Sequence, residues 1–469
     1  MAEPFDSAGY LEDVSDIVQT QYFKNYEVNY HDRFGRVLNK MFSPSAEVIT
    51  GDGKTMQTEL APADTVRANS DPLGEFAAPD ILEAEAVRVR FNRQTAPTGH
   101  DFTEFSASCQ FDDLTIENAS KGTIVDVADR VYKQVQGQFD EHLAVLRHAP
   151  RSARIALVNG TPRLNDHWTF ASATSTATNA GGARLQVDNG SIAALRRGAR
   201  IDFVNASGTV VAGNVRVTDV NPADLSIGVA FTSSGSGVLA GRVSTGNLAS
   251  VADNHTIVYS GEYNKGLYSL GAWFGRPTAG ESFIGGVDRT TAGFRWMLPI
   301  STREGSSNTP LTKSHFNDLA IAMGFLIEDG QDGMVFVTDP TLNQKLRDEI
   351  GEEAFFQIPE GSSDAKRVMK FGSLGLNYQH PQFGLTKILV DPLMPAGTVR
   401  VLDPSTWKTL PYLWQGLKPM KENGAHWYRM PSATPGNGKS KIWKADWYCN
   451  MTDWCTRPWR NGQIMAVTS

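Results

Sequence analysis

The chain has little cysteine and no long apolar run. Only three of its 469 residues are cysteines: Cys109, Cys449 and Cys455. An odd and low count does not build a disulfide scaffold, so we expect a reducing compartment. No apolar run approaches the roughly 18 residues of a membrane-spanning helix, so we predict no membrane contact. The first residues, MAEPFDSAGYLEDVSDIV, lack the apolar core of a signal peptide, and we therefore expect no export.

A strong excess of one charge is also lacking. There are 44 basic and 51 acidic residues, which gives a net charge of −7. Since no basic tail is present, the sequence does not predict strong nonspecific binding to DNA. The length suggests about three domains of roughly 150 residues. The 43 glycines and 23 prolines indicate many turns and short strands.

The clearest helical pattern runs from Thr123 to His148. Its apolar residues recur every three or four positions, which places them on one face of an amphipathic helix roughly 39 Å long. Asp126 follows Thr123 as in a capping box, Arg147 lies near the negative end of the helix dipole, and Pro150 cannot continue the helix. The residues of the predicted buried face are Ile124, Val127, Ala128, Val131, Val135, Phe139, Leu143 and Leu146.

Residues 46–112, before this helix, read as an extended β excursion. Strands are predicted at 47–50 and 54–60 around the turn Gly51-Asp52-Gly53, and again at 86–91 and 102–109. The Pro-, Ala- and Asp-rich stretch 61–79 has too few apolar residues to make a core. We therefore expect the excursion to lie on another surface.

Residues 183–260, after the helix, change to short strands separated by glycines. About five strands at spacings of roughly 10 to 15 residues predict a small closed β-barrel, inserted into a host domain. Upstream of it, 153–158 is predicted as a buried strand closed by Asn159-Gly160, and 165–182 as a linker. The predicted barrel strands are 185–187, 201–203, 215–218, 225–231 and 256–259.

Residues 261–400 return to α/β character, and 401–469 are rich in tryptophan. A helix is predicted from Lys313 to about Glu328 with Thr312 as its cap. Another is predicted from Asp339-Pro340 to Ile350. The remaining predicted strands are 334–337, 386–390, 398–402 after the turn Pro395-Ala396-Gly397, 441–448, and 463–467 after the turn Asn461-Gly462.

Three segments carry a resemblance to a known family. They are FVTDPTLNQKLRDEI (336–350), FGLTKILVDPLMPAGTVRVLD (383–403) and WYCNMTDWCTRPWRNGQIMAV (447–467). Placed after an arm, an extended loop and a long helix, they resemble parts of the major capsid protein of tailed bacteriophages. The resemblance implies an α+β chain with the Hong Kong ninety-seven fold, to which the barrel would be an elaboration.

This resemblance implies a division of the chain into six parts. They are an N-terminal arm (1–45), an extended β loop (46–112), a peripheral domain with the long spine helix (113–165), an inserted small β-barrel (183–260), an apical α/β domain (261–400), and C-terminal strands that return to the peripheral domain (401–469). The extended loop would reach over a neighbouring subunit.

The resemblance also implies a structural role and no enzymatic activity. Copies would form hexamers and pentamers of an icosahedral shell around double-stranded phage DNA, in a virion assembled in the host cytoplasm. Expected partners are further copies, portal, scaffold and decoration proteins, and weakly contacted DNA. Two alternatives stay open: an encapsulin-like bacterial compartment that stores protein cargo, and a carbohydrate-binding tail or baseplate protein, suggested by the barrel and the aromatics.

No catalytic, cofactor-binding or metal-binding residue is predicted. Cys449 and Cys455 are six apart rather than in a CxxC pair, so packed free thiols are favoured over a zinc site with His426. His142 and His148 do not share a helix face as two ligands would, and solvated or interface positions are favoured for both. The segment 235–241 is not a phosphate-binding glycine motif. The tryptophans at 443–459 are predicted to pack in a core or subunit contact rather than stack on bases or sugars.

Overall fold

A computed structural model describes a set of segments spread along the chain. They are residues 42–44, 53–58, 85–90, 103–112, 135, 137–164, 182–188, 192–222, 224–231, 243–275, 283–284, 287–290, 297–303, 309–324, 334–345, 375–380, 384–412, 418–419, 428–431 and 439–468. The predicted arm up to residue 41, the loop 61–79, residues 123–134 of the predicted helix and the motif 235–241 lie outside them.

Twenty-five strands and four helices lie in these segments. In chain order the strands are β1 (Ser43–Pro44), β2 (Gly53–Thr58), β3 (Glu85–Arg90), β4 (Thr103–Asp112), β5 (Ala156–Leu164), β6 (Gly182–Asp188), β7 (Arg200–Val204), β8 (Val210–Asn221), β9 (Ser226–Ala230), β10 (Thr245–Gly246), β11 (Thr256–Tyr259), β12 (Phe283–Ile284) and β13 (Val287–Asp288). They continue with β14 (Ile300–Thr302), β15 (Thr309–Pro310), β16 (Val335–Thr338), β17 (Gly375–His380), β18 (Gly384–Val390), β19 (Val399–Leu402), β20 (Trp407–Pro411), β21 (Lys418–Pro419), β22 (Tyr428–Pro431), β23 (Lys439–Cys455), β24 (Gly462–Ile464) and β25 (Val467–Thr468). The helices are α1 (137–148), α2 (Leu270–Phe274), α3 (Lys313–Gly324) and α4 (340–345).

The described residues divide into two compact units. The first takes those of Met1–Lys54, Phe102–Ala144 and Lys408–Thr452, and the second takes the rest. The first unit contains a six-stranded sheet in the order β1-β20-β23-β21, with β22 and β4 also paired to β23. β4 pairs along β23 from Thr103 opposite Met451 to Asp112 opposite Ile442. The predicted extended loop therefore ends before 103–112, because this segment is bonded into a sheet with C-terminal residues.

β2 and β3 form a two-stranded sheet, here called the ribbon. Among the described strands neither pairs with any third strand. The predicted strand 54–60 is confirmed as β2 and 86–91 as β3, to within two residues. The strand predicted at 47–50 lies outside the described residues.

α1 ends at His148, as the sequence predicted. Phe139, Leu143 and Leu146 of the predicted apolar face are buried. Phe139 contacts the ring of Phe105 edge-on, with 5.5 Å between ring centroids. Residues 143–149 are buried on every side of the helix, so its C-terminal turn is enclosed rather than amphipathic.

The barrel is closed, and it has one strand more than predicted. Hydrogen-bonded pairing runs β8-β7-β11-β5-β6-β9 and returns from β9 to β8, while β10 pairs with the outside of β8. All five predicted strands are present as β6, β7, β8, β9 and β11. The sixth is β5, which pairs with both β11 and β6 and lies upstream of the predicted boundary at 183. Asn159-Gly160 does not end it, because Gly160 takes φ of 77° and lets the strand continue to Leu164.

A mixed six-stranded sheet in the order β14-β24-β19-β16-β18-β17 holds the α/β part of the second unit. β16 lies between β18, to which it is parallel, and β19, to which it is antiparallel. The strands before and after the Pro395–Gly397 turn are thus separated by β16 and do not form a hairpin. Phe316, Leu319, Ala320 and Met323 of α3 are buried against this sheet, as predicted. Asp339 caps α4 by accepting from the Leu342 amide at 2.7 Å.

Asn461-Gly462 is not the predicted turn. Gly462 lies within β24 and pairs with Ile300 and Val401 on either side. A Cβ at this position would stand 2.6 Å from Met323 Sδ and 2.8 Å from Leu319 Cδ1. A side chain at this position would displace Met323 or Leu319 of α3. The predicted last strand at 463–467 is divided between β24, which belongs to the mixed sheet, and β25, which pairs with β15.

Candidate functional site: the end of the long helix

The last turn of α1 carries two buried basic residues, Arg147 and His148. Arg147 donates from Nε to Asp453 Oδ2 at 3.0 Å and from Nη2 to Oδ1 at 3.4 Å. Neither side chain has any solvent exposure. Ser269 Oγ donates to the same carboxylate at 2.5 Å. A buried charge is tolerated when it is paired and hydrogen-bonded, and this carboxylate has both kinds of partner.

His148, the next residue, joins a second buried pair. Its Nε2 lies 3.1 Å from Asp391 Oδ2, and its Nδ1 lies 3.1 Å from Arg400 Nη1. Asp391 also accepts from the Leu393 amide at 2.9 Å, and the Arg400 guanidinium lies over the Phe274 ring at 5.2 Å. We call Arg147, His148, Asp391, Arg400 and Asp453 the helix-end network. It ties α1 to β19, β23 and the turn after β18.

The contacts of His148 determine its tautomer. A guanidinium only donates hydrogen bonds, so Nδ1 must accept from Arg400, and the ring proton therefore lies on Nε2 and is donated to Asp391. Burial is the main cause that lowers the pKa of His148 below its ordinary value of 6.5, and the nearby Arg400 and Arg147 lower it further against the opposing effect of Asp391. Burial likewise lowers the pKa of Arg400 to about 10, with Asp391 opposing. His148 is neutral in the folded chain.

This position corrects one sequence prediction. His148 was predicted to be solvated or at an interface, yet it is only 5% exposed. The helix pattern could not reveal the partners of His148, because Asp391 and Arg400 lie more than 240 residues away in the sequence. His142 is half-buried and meets the Phe105 ring edge-on at 6.4 Å between centroids.

A third polar cluster lies where β19 leads into β20. Asp403 pairs with Arg460 at 2.9 Å. The Asn461 side chain accepts from the Asp403 amide at 3.0 Å and from the Trp407 indole at 2.9 Å, and it donates to Thr406 Oγ1 at 3.0 Å. Asn461 is fully buried. The Arg457–Asn461 segment is therefore held by these side-chain bonds together with the backbone bonds of a short 3-10 turn, Arg460 N to Arg457 O at 3.2 Å and Asn461 N to Pro458 O at 3.0 Å.

The thiols and aromatic residues pack as predicted. Cys449 and Cys455 are buried and unbridged, and burial raises the pKa of Cys455 to about 12 and that of Cys449 further. No group of three metal-ligating side chains lies together within the described residues, and His426 is outside them. Neither thiol is poised as a nucleophile.

Three of the C-terminal tryptophans are buried. Trp447, Trp454 and Trp459 are 3%, 1% and 8% exposed. Trp454 meets Trp273 edge-on at 5.3 Å, and Trp407 meets Trp273 at 6.1 Å. These rings fill a core, so they do not offer a stacking surface for sugars or bases. No helix in the described part of the chain is long and apolar enough to cross a membrane.

Sequence reasoning missed the partners in the helix-end network. A weak signal was present, because Arg400 interrupts the apolar run Val399–Leu402 and Asp391 directly follows the apolar strand β18. A charge inside a buried strand predicts a buried counter-charge. Which counter-charge it meets depends on strand order, which the pattern did not reveal.

No protein-family model matches the chain, and no curated protein matches it. Solved structures do match. The capsid asymmetric unit of cyanophage A-1(L) is 10% identical over 90% of this chain and 90% of that chain, with a TM-score of 0.42. The procapsid of satellite phage P4 with its size determination protein is 6% identical over 95% and 91%, with a TM-score of 0.39. An encapsulin complex from Synechococcus elongatus is 13% identical over 36% and 52%, with a TM-score of 0.21.

The structures that match along most of the chain are phage capsids and procapsids. The encapsulin match is partial and covers about a third of the chain.

Proposed function

We propose that this chain is a phage major capsid protein, whose copies assemble as hexamers and pentamers into an icosahedral shell around double-stranded DNA. The ribbon is the observation that carries the proposal. Among the described strands β2 and β3 pair only with each other, and a lone two-stranded sheet is marginally stable in water. A neighbouring copy would supply the surface that orders it.

The placement of the three resembling segments also supports a capsid role. Residues 336–350 begin with β16 and lead into α4, and 383–403 supply β18, its turn and β19. Residues 447–467 supply the end of β23 and β24. The helix-end network joins α1 to these same elements through the buried Arg147–Asp453 ion pair and the His148–Asp391 hydrogen bond. Such buried contacts suit a subunit that must keep its shape while it contacts neighbours.

The charge of the chain favours a genome shell over a protein-cargo compartment. A net charge of −7 without a basic tail supports weak DNA contact, because strong binding depends on many Lys and Arg contacts to phosphates. We expect purified subunits to bind duplex DNA weakly at physiological salt, and particles from infected cells to hold nuclease-protected double-stranded DNA. Particles filled with one discrete protein and no protected DNA would assign the chain to an encapsulin-like compartment.

Assembly of the purified full-length chain tests the proposal directly. Electron microscopy and sedimentation should reveal closed shells. Replacing 62–80 by a Gly/Ser segment of equal length keeps the connection between β2 and β3 but removes its sequence. The free variant subunit should melt like the wild type and should fail to close shells. Equal closure would refute a role of residues 62–80 between subunits, and full-length protein that forms no particle under any condition would refute the capsid assignment.

A further inference from the structure

A polar groove lies on the outer face of the barrel, along β5 and β6. Side chains alternate along β6, with Leu185 and Val187 buried inside the barrel and Arg184 and Gln186 directed outward. β5 lies antiparallel beside it, and Asn159 stands opposite Gln186. The outward side chains of the two strands form one continuous polar surface, separate from the apolar core.

The groove is widened by an irregularity in β5. The pairing register shifts between Asn159 and Arg163, where Gly160 takes its positive φ. The Gly160 amide donates to Asp253 Oδ1 at 2.8 Å, which fixes the bulge. Bulges of this kind redirect the following side chains. The lining residues are Asn159, Gly160, Thr161, Arg163, Arg184, Gln186 and Asp224.

One of the two arginines in the groove is neutralised and fixed. Arg184 forms an ion pair with Asp224 and donates to Ser226 Oγ from Nε at 3.1 Å and from Nη2 at 3.0 Å. Ser226 Oγ donates in turn to Asp224 Oδ1 at 2.6 Å, and this bond is the main cause that lowers the pKa of Asp224. Arg184 is therefore held in place before any ligand arrives.

The other arginine lacks a counter-charge. Arg163 is exposed and stands directly opposite Arg184 in the register. Within the part of the chain that the structure describes, its side chain makes no ion pair or hydrogen bond. Like charges opposite each other across two strands are destabilising. The groove thus holds one uncompensated positive charge, flanked by the neutral hydrogen-bonding side chains of Asn159, Thr161 and Gln186.

We propose that this groove is a carboxylate-binding site, and that its occupant in the shell is an Asp or Glu side chain of a second copy. The inference rests on the proposed function. One net positive charge with neutral donors around it matches one carboxylate, which a guanidinium can bind through two parallel hydrogen bonds. Residues 156–260 contain seven arginines and six acidic residues, which gives this segment a net charge of +1. The rest of the chain therefore carries a net charge of −8. Copies of this chain therefore offer acidic surface to the groove.

Charge reversal at Arg163 distinguishes an effect on shell assembly from an effect on the stability of the free subunit. In the free subunit, Arg163→Glu removes the repulsion with Arg184, so its melting temperature should stay equal or rise. In assembly, the same variant should raise the subunit concentration for half-assembly roughly two- to fivefold, the range of one exposed ion pair. Added salt should shrink this difference. The control is Arg197→Glu, an exposed arginine just before β7, which lies across the barrel from β6.

Carbodiimide coupling identifies the partner. With Arg163→Lys, shells should yield a peptide joined from position 163 to an Asp or Glu of another copy, and dissociated subunits and Arg197→Lys shells should not. If shells form but both reversals behave alike and no such peptide appears, the groove proposal is wrong and the capsid assignment stands. If glucuronate binds free subunits through Arg163 while assembly is unaffected, the occupant is a soluble acid and the second-copy proposal is overturned. If the wild type never assembles, both proposals fail together.

Discussion

The barrel and the mixed sheet of the second unit reach stability by different routes. The barrel strands are β5 to β11, consecutive in the chain, and they close a ring around apolar side chains. The charged residues of these strands are exposed or half-buried apart from Asp202, which is 6% exposed and accepts from Asn214, Ser260 and Gly261. The mixed sheet joins β14, β24, β19, β16, β18 and β17, segments that lie up to about 160 residues apart. Its neighbourhood contains fully buried ion pairs such as Arg147–Asp453. Pairing between strands that are close in the sequence forms the barrel. The mixed sheet depends on specific polar partners that are far apart in the sequence.

This difference determines which parts can be separated from the chain. A closed ring has no unpaired edge within itself, while the mixed sheet is bonded through Asp391 and Arg400 to His148 of α1, which precedes the barrel segment. Loops between sequential antiparallel strands also close with a smaller entropy loss than distant pairings do. We therefore expect the barrel to behave as an autonomous module and the mixed sheet to require the whole chain.

The largest expected effect comes from cutting the barrel at two different boundaries. A fragment of 153–262 includes β5 and should give dispersed amide resonances and a cooperative melt. A fragment of 183–260 lacks β5, so β11 and β6 each lose a partner and the ring opens. It should be unfolded or aggregated, because exposed strand edges pair between molecules. A cooperative melt of 183–260 alone would contradict the six-stranded ring.

A smaller effect is expected from removing one buried partner near the mixed sheet. Asp453→Ala leaves Arg147 buried without its carboxylate, which should lower the free energy of unfolding by about 3–5 kcal/mol. Urea unfolding of the subunit measures the loss. The matched control is Asp224→Ala, which breaks the exposed Arg184–Asp224 pair on the barrel and should leave the urea midpoint almost unchanged. Equal losses in the two variants would show that burial does not distinguish the two regions.

The smallest expected effect is a pH dependence confined to the helix-end network. The pKa of His148 is lowered in the folded chain, so above pH 6.5 the ring is neutral in both states and its contribution is complete. As pH falls below 6.5, the unfolded chain takes up the proton first, and stability declines by at most about 1.4 kcal/mol per pH unit. Protonation of the folded ring would turn Nδ1 into a donor against Arg400.

His148→Gln isolates this contribution. Glutamine can still donate to Asp391 and accept from Arg400, but it does not titrate. The loss of the urea midpoint between pH 7.5 and 5.5 should therefore be smaller in the variant than in the wild type. The other histidines and the carboxylates are common to both proteins and cancel in the comparison. An identical loss in both would mean that His148 takes up its proton equally in the folded and unfolded chain.

The same contrast explains what the sequence could predict. The five barrel strands, the end of α1 at His148 and the inward face of α3 were all predictable, because alternation, helix periodicity and turn residues are local signals. β5 was predicted as a strand but not as a barrel member. Its partner β6 follows after 165–181, which read as a linker, so the pattern did not reveal the pairing.

The predictions failed where contacts between residues far apart in the sequence determined the structure. Asn461-Gly462 is typical of a turn, yet Gly462 lies in β24 and pairs with strands on both sides. The strands on either side of the Pro395–Gly397 turn were predicted, but their separation by β16 was not. His148 was predicted to be solvated or at an interface, yet it is buried in contact with Asp391 and Arg400.

Closure of the barrel affects how copies of the chain interact when they are closely packed. An open sheet exposes backbone donors and acceptors on its outermost strands, and these can capture a strand from another molecule. In the ring each of β5, β6, β7, β8, β9 and β11 already has a partner on both sides. Molecules packed at the density of a shell wall would thus be protected from swapping or templating strands through this module. Contacts between barrels are left to side chains, which can be made and broken without unravelling the fold.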